Sequence, residues 1–275
     1  MDLERYLARV GHRGPLEPSV ETLTALHRAH LLAISYENLD IHLGRRLGLE
    51  PDAIYRKLVE QGRGGWCYEM NGLFALVLER LGYRVQLMAG TVGRERSATP
   101  IEGNHLVLIV SLDRPYLVDV GFGDGCLEPL PLEEGSYRRG GFEFGLVREG
   151  PRWRFRNHPA GAAPSFDFTL EPRTLGAFAE QCHRLQTDPD SGFVQTTVCQ
   201  RHTGTSILTL RGAVLREITP EGTIDRDLED RDQYESALRE RFGIGLGADD
   251  LDRLWTKVEA RHRAWMAGGR GQARS

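Results

Sequence analysis

Apolar residues recur at helical spacing through the first 83 positions. Leu3, Tyr6, Leu7 and Val10 share one face, and Ser19 stands as a cap before Val20, Leu23, Leu26, Leu31 and Leu32. Pro51 and Asp52 open a third helix carrying Ile54, Leu58 and Val59, which Gly62 ends. A fourth begins near Cys67, keeps Met70, Leu73, Phe74, Val77, Leu78 and Leu81 on one face, and closes at Gly82. The period then changes to two. Val85, Leu87 and Ala89 alternate with polar residues, 106–110 and 116–120 are apolar runs bounded by Gly, Pro and Asp, and Trp153, Phe155, Phe166 and Phe168 alternate again. That pattern predicts strands of an antiparallel sheet or barrel. From about 196, a strand pair (206–210 and 213–218, joined at Arg211-Gly212) precedes two helices near 232–242 and 249–264. The tail AGGRGQARS is expected to be disordered. The chain therefore reads as α+β in three parts: a helical bundle at 1–83, a β unit at 84–195 and a mixed unit at 196–275.

Composition narrows the picture. With 40% hydrophobic and 27% charged residues, the chain belongs with folded globular proteins rather than disordered ones. Its 35 basic and 39 acidic residues leave a net charge of −4, which argues against a general nucleic-acid binder but not against a local basic pocket for a phosphorylated cofactor. Four cysteines without a CxxC pair are too few for a disulfide scaffold, so a reducing cytoplasm is the expected compartment. The charged N-terminus lacks the apolar stretch of a signal peptide, and no apolar run approaches the ~20 residues of a membrane span, so no membrane partner is expected. Glycine is in excess: 32 residues, about 12% against a usual ~7%, marks tight turns and close backbone approaches.

The densest chemical signal is Arg63-Gly64-Gly65-Trp66-Cys67-Tyr68-Glu69-Met70-Asn71. A cysteine opening a helix sits at the positive end of the helix dipole, where its pKa is expected to fall below ~8.5 and where free N–H groups can stabilise an oxyanion. The competing reading is one more buried, inert cysteine. A reactive thiol needs a base and the base an orienter. His105 opens one apolar strand, and Asp119 places a carboxylate in the next. A turn centred on Leu112 would put the two directly opposite each other across the ladder, within hydrogen-bonding reach. Gly121-Phe122-Gly123 follows at once, where glycines let the backbone turn hard and admit a ligand.

Arg63-Gly64-Gly65-x-Cys67-x-Glu69-x-Asn71, a histidine opening a strand, and Asp119-Val120-Gly121-Phe122-Gly123 together resemble the arylamine N-acetyltransferase family. Ile34-Ser35-Tyr36-Glu37-Asn38-Leu39 is similar to that family's Ile-Pro-Phe-Glu-Asn-Leu segment, and 188–193 to its Ser-Pro-x-Ser-x-Phe stretch. The resemblance implies a helical bundle, an antiparallel β-barrel and a C-terminal α/β lid around a cysteine-protease-like triad of Cys67, His105 and Asp119. It implies acetyl-CoA as co-substrate and ping-pong acetyl transfer to an aromatic amine, hydrazine or N-hydroxyarylamine. It further implies that Arg63, Gly64, Gly65, Glu69 and Asn71 brace the nucleophile, that Tyr36, Phe122 and Phe193 line the acceptor pocket, and that Gly123 and Gly125 let the pantetheine arm approach. Ser35 and Tyr36 depart from the family's proline and phenylalanine, and Asp190-Ser191-Gly192 is also atypical.

Other readings stay open on the same residues: an amide synthase closing a macrolactam from a carrier-bound chain, a thiol hydrolase or transglutaminase-like enzyme, and a non-catalytic binding protein. Cys182-His183 with Cys199-x-x-His202 fits no common zinc spacing, so no metal is expected. Arg152, Arg154 and Arg156 alternate with Trp153 and Phe155, which on a strand puts the charges on one face and the rings on the other.

Overall fold

The structure is a computed structural model that describes residues 1–96 and 99–268. Its first part is helical: α1 (Leu3–Val10), α2 (Val20–Ala33), α3 (Leu39–His42), α4 (Pro51–Tyr55) and α5 (Cys67–Arg80). Ser19 caps α2 as its sequence position suggests, accepting the Thr22 N–H at 3.1 Å. The helix opened by Pro51 does not run regularly to Gly62. It widens into a π turn over Arg56–Glu60, which turns Lys57, Leu58 and Val59 into the core. Between α2 and α3 lies β1 (Tyr36–Glu37), a two-residue strand that no local periodicity signals.

Eight strands follow: β2 (Arg84–Val92), β3 (His105–Ser111), β4 (Pro115–Val118), β5 (Leu130–Pro131), β6 (Gly135–Arg139), β7 (Phe142–Glu149), β8 (Arg152–Arg156) and β9 (Ser165–Arg173). They form one antiparallel sheet in the order β5-β4-β3-β2-β9-β8-β7-β6. It curls into a nearly closed barrel, for the Tyr137 hydroxyl on β6 donates to the Pro131 carbonyl on β5 at 3.3 Å. β3 explains its own unbroken apolar run. Leu106, Leu108 and Val110 enter the core shared with α2 and α5, while Val107 and Ile109 enter the barrel core. On β8, Trp153 and Phe155 face the barrel core and Arg154 pairs with Asp167 at 2.8 Å on the other face.

The remainder holds α6 (Ala179–Thr187), α7 (Gly192–Gln195), β10 (Val198–His202), β11 (Ile207–Arg211), β12 (Val214–Thr219), β13 (Gly222–Asp227), α8 (Arg231–Ser236) and α9 (Ala248–Ala267). The second sheet runs β1-β10-β11-β12-β13, so the segment at Tyr36 is an edge strand of a sheet built mostly 160 residues later. The hairpin turn falls at Gly212-Ala213, one residue beyond the expected Arg211-Gly212, because Arg211 still pairs with Val214 and Gly212 carries the positive φ of 58°. α9 continues three residues past the expected 264; of the tail expected to be disordered, Ala267 closes that helix, Gly268 caps it, and 269–275 lie outside the described residues.

Candidate active site

The turn that leads into Cys67 is shaped by the strand beside it. Gly65 forms a parallel bridge with Tyr36: the Glu37 N–H donates to the Gly65 carbonyl at 2.9 Å, and the Gly65 N–H to the Ser35 carbonyl at 3.2 Å. A Cβ on Gly64 would stand 2.2 Å from the Ser35 oxygen, so only glycine lets the two backbones pass. Arg63 then donates through Nε and Nη2 to Glu37 Oε1 (3.1 and 2.7 Å), and Glu69 Oε2 accepts the Trp66 N–H at 3.2 Å and the Lys57 ammonium at 2.9 Å. Lys57 and Arg63 also reach Asp40, each at 3.2 Å. Burial works against the Lys57 charge, yet Glu69, Glu37 and Asp40 together hold its pKa above the ordinary range. These ion pairs are the base on which the first turn of α5 sits.

Cys67 is that helix's first residue and is only 2% exposed. Burial pushes its thiol well above the usual cysteine range, against the opposing pull of the Leu106 and Tyr68 backbone N–H groups. The low pKa expected from the helix terminus is therefore not what this environment gives: desolvation outweighs the dipole.

His105 and Asp119 meet, though not by the register expected. The ladder pairs Leu108 with Val118 and Ser111 with Pro115, so the turn is centred on Asp113 and β4 ends before Asp119. The two-residue shift preserves the face, and the residues meet diagonally across the end of the sheet. His105 Nε2 lies 2.7 Å from Asp119 Oδ2. The other carboxylate oxygen accepts the Gly121 N–H and the Asn71 amide, both at 2.8 Å. Asn71, one turn along α5 from Cys67, also donates to the Leu106 carbonyl (2.6 Å) and accepts the Val120 N–H (2.9 Å), fastening α5 to β3 and to the aspartate loop. A Cβ on Gly121 would fall 2.8 Å from Cys67 Cα, so the loop must be glycine where it crosses Cys67.

Rings enclose the imidazole: Phe122 and Phe166 centroids lie 5.4 and 5.1 Å from that of His105. Phe193 sits edge-on to Trp66 at 5.4 Å. Tyr36 is buried beside the turn that leads into Cys67, paired with Gly65. The space next to Gly123 is filled by Gln200 and that next to Gly125 by the Phe122 ring. Ser191 caps α7, accepting the Phe193 N–H at 3.3 Å. Cys182 stands on α6 against the Leu47 carbonyl while Cys199 and His202 lie in β10, and no group of three or more metal-ligating side chains occurs among the described residues.

Three contributors were given no role by the sequence reading, although Asn38 lies in a segment that matches the family. Lys57 needs the π turn to face inward. Asn38 latches 193–198 to β1, donating to the Phe193 and Thr196 carbonyls (3.0 and 2.9 Å) and accepting the Val198 N–H (2.7 Å). His27, bonded through Nδ1 to the Leu127 carbonyl at 3.0 Å, lies under the aspartate loop with its pKa pulled down to about 4 by burial.

Residues 19–251 match the family model described as N-acetyltransferase, which sets the chain among enzymes that move acyl groups. It is 35% identical over 277 residues to the arylamine N-acetyltransferase pineal gland isozyme of Gallus gallus, covering 90% of this chain and 95% of that one. It is 36% identical over 256 residues to the arylamine N-acetyltransferase of Mycolicibacterium smegmatis, covering 90% and 93%. The structure of Mycobacterium marinum arylamine N-acetyltransferase in complex with CoA superposes with a TM-score of 0.87 at 32% identity, over 94% of this chain and 99% of that one. The chain belongs to the arylamine N-acetyltransferase family.

Proposed function

We propose that the protein acetylates aromatic amines, hydrazines or N-hydroxyarylamines with acetyl-CoA as co-substrate, through a thioester on Cys67. The observation that carries this reading is the 2.7 Å bond between His105 and Asp119 at the end of the sheet on which the Cys67 helix is fastened. With Nε2–H donated to the carboxylate, Nδ1 keeps its lone pair and is the ring's basic atom. Because burial keeps an isolated Cys67 thiol protonated, the nucleophile forms by passing its proton to Nδ1, and Asp119 supports the imidazolium. Cys67 sulfur attacks the acetyl carbonyl, N–H groups at the start of α5 stabilise the oxyanion, and the coenzyme thiol leaves with the imidazolium proton. In the second half, a neutral aromatic amine attacks acetyl-Cys67, His105 takes the amine proton, and the thiol is regenerated. An aniline-type nitrogen is uncharged at neutral pH, whereas an alkyl amine such as lysine (pKa ~10.4) is mostly protonated.

In this reading Tyr36, Phe122 and Phe193 contact the acceptor ring, while Arg63, Gly64, Gly65, Glu69 and Asn71 hold the nucleophile turn in place. Gly123 and Gly125 meet the pantetheine arm through backbone alone, since protein side chains occupy their Cβ directions. The chain divides at 83/84 and 195/196 into bundle, barrel and lid, with β1 lent to the lid's sheet. Four free cysteines suit the cytoplasm. No helix among the described residues is long and apolar enough to cross a membrane. Initial rates with acetyl-CoA and an arylamine varied together test the two-step route. Parallel double-reciprocal lines are expected, and intersecting lines would contradict it.

A further inference from the structure

Asp124 follows the Gly121-Phe122-Gly123 turn, is 1% exposed, and takes no part in the proposed steps. Its carboxylate is held by neutral donors from one loop, 157–164, which joins β8 to β9. Oδ1 accepts the Asn157 amide at 3.1 Å, and Oδ2 accepts the Ala162 N–H at 2.6 Å. His158 Nε2 donates to the Asp124 carbonyl at 3.1 Å, so backbone and side chain are both gripped by the same loop. The loop is folded on itself in a way that presents these donors. The Asn157 N–H donates to the Pro164 carbonyl (2.8 Å) and the Asn157 amide also to the Ala163 carbonyl (3.1 Å), while a Cβ on Gly161 would stand 2.1 Å from that amide. Burial raises the Asp124 pKa, and the Ala162 N–H and the Asn157 amide pull against it.

Each end of this clamp is two residues from a ring. Phe122 precedes Asp124, Phe155 precedes Asn157, and Phe166 follows Pro164 by the same step. The centroids of Phe122 and Phe155 lie 5.8 Å apart, those of Phe122 and Phe166 5.0 Å, and those of Phe155 and Phe166 4.8 Å. Two of the three also enclose the His105 imidazole. Beside Asp119 the same three rings wall a cavity of about 10 Å³, the lower limit for one water. Gly121, between Asp119 and Phe122, crosses Cys67 itself. We propose that Asp124 is a positioning residue: by clamping the 157–164 loop it keeps this ring wall closed, and so keeps water from an acyl group on Cys67. This rests on the acetyl-thioester reading above. An acetylated Cys67 waits for its acceptor beside a base that can deprotonate water as well as an amine. Water attack on the acetyl carbon breaks the C–S bond, gives one proton to the sulfur and releases acetate with the other. Transfer to an amine therefore depends on a wall that excludes water.

The test follows acetyl-Cys67 by intact mass in the full chain, after acetyl-CoA has been removed and with no acceptor present. Asp124→Ala should lose the acetyl group about tenfold faster than wild type, with acetate as the product. Leu254→Ala truncates the lid's own apolar cluster; it should lower the urea midpoint yet keep the wild-type rate of acetyl loss. A wild-type rate in folded Asp124→Ala overturns the proposal. So does an equal acceleration in Leu254→Ala, which would make the effect a general loosening. If Asp124→Ala does not fold, Asn157→Ala, which removes one donor from the other side of the clamp, is read in the same way. A wild-type chain that takes no acetyl group refutes the function proposed above, and this inference with it. An acetylated wild-type chain beside an Asp124→Ala chain that decays no faster refutes this inference alone.

Discussion

Asp119 makes three hydrogen bonds through two oxygens, and the identity of each donor fixes what the carboxylate does. Asn71 and the Gly121 N–H take one oxygen, leaving the other to receive only the His105 proton. Changing Asp119→Asn keeps the shape but turns an NH2 group toward Nε2. The ring would then carry its proton on Nδ1, the atom that accepts from Cys67 in the proposed mechanism. We expect acetylation of Cys67 to slow by about 100-fold or more, toward the 10⁴-fold known for the same change in a serine triad. Rapid-quench measurement of acyl-enzyme formation checks this, and a rate near wild type would mean that Asp119 does not orient the base. At this scale the sequence was highly legible. Cys67, His105 and Asp119 each carry a local mark, a glycine pair or a strand boundary, that survives without knowing the fold. The expected cross-strand register was two residues off, yet parity rescued the contact. The thiol's pKa was misjudged because burial, unlike helix position, cannot be read from neighbouring letters.

The N-terminal turn of α5 rests on three buried carboxylates, Glu37, Asp40 and Glu69, and two buried cations, Lys57 and Arg63. Removing one partner of such a network leaves uncompensated charge, which costs more than the network itself contributes. Lys57→Met should therefore lower stability by about 3–5 kcal/mol, read as a fall in the urea midpoint. Adding Glu69→Gln should recover part of the loss. A single variant as stable as wild type would show that Arg63 alone balances the cluster. The elements meeting here were unequally visible in the sequence. α5 announced itself by its apolar face and its closing Gly82. The π turn that aims Lys57, and the pairing of Tyr36 with Gln200, depend on contacts across the chain that local periodicity does not encode.

Across the whole molecule, two apolar clusters, bundle against sheet and barrel interior, share β3 as their wall, and a third packs β10 and β11 against α8 and α9. Several histidines are sealed into this arrangement. Burial pulls His27 down to about 4, and His30 and His202 down to about 3. In the unfolded chain each returns to ~6.5. The folded protein thus binds fewer protons between those values, so its stability is complete above about pH 6.5 and falls as pH drops toward 4. The loss should be on the order of several kcal/mol, and urea midpoints at pH 7.5 and 5 would reveal it; equal midpoints would contradict it. The order of bundle, strands and mixed unit was legible from the change of period along the chain. The exchange of β1 into the far sheet was not. The central claim, that Cys67 accepts the acetyl group, is tested most directly by intact mass after mixing the protein with acetyl-CoA and no acceptor. The account predicts one acetyl group, mapped to Cys67, removed by an arylamine or hydrazide and absent from Cys67→Ala. No adduct on the wild-type chain at neutral pH, or an adduct that persists in Cys67→Ala, would contradict it.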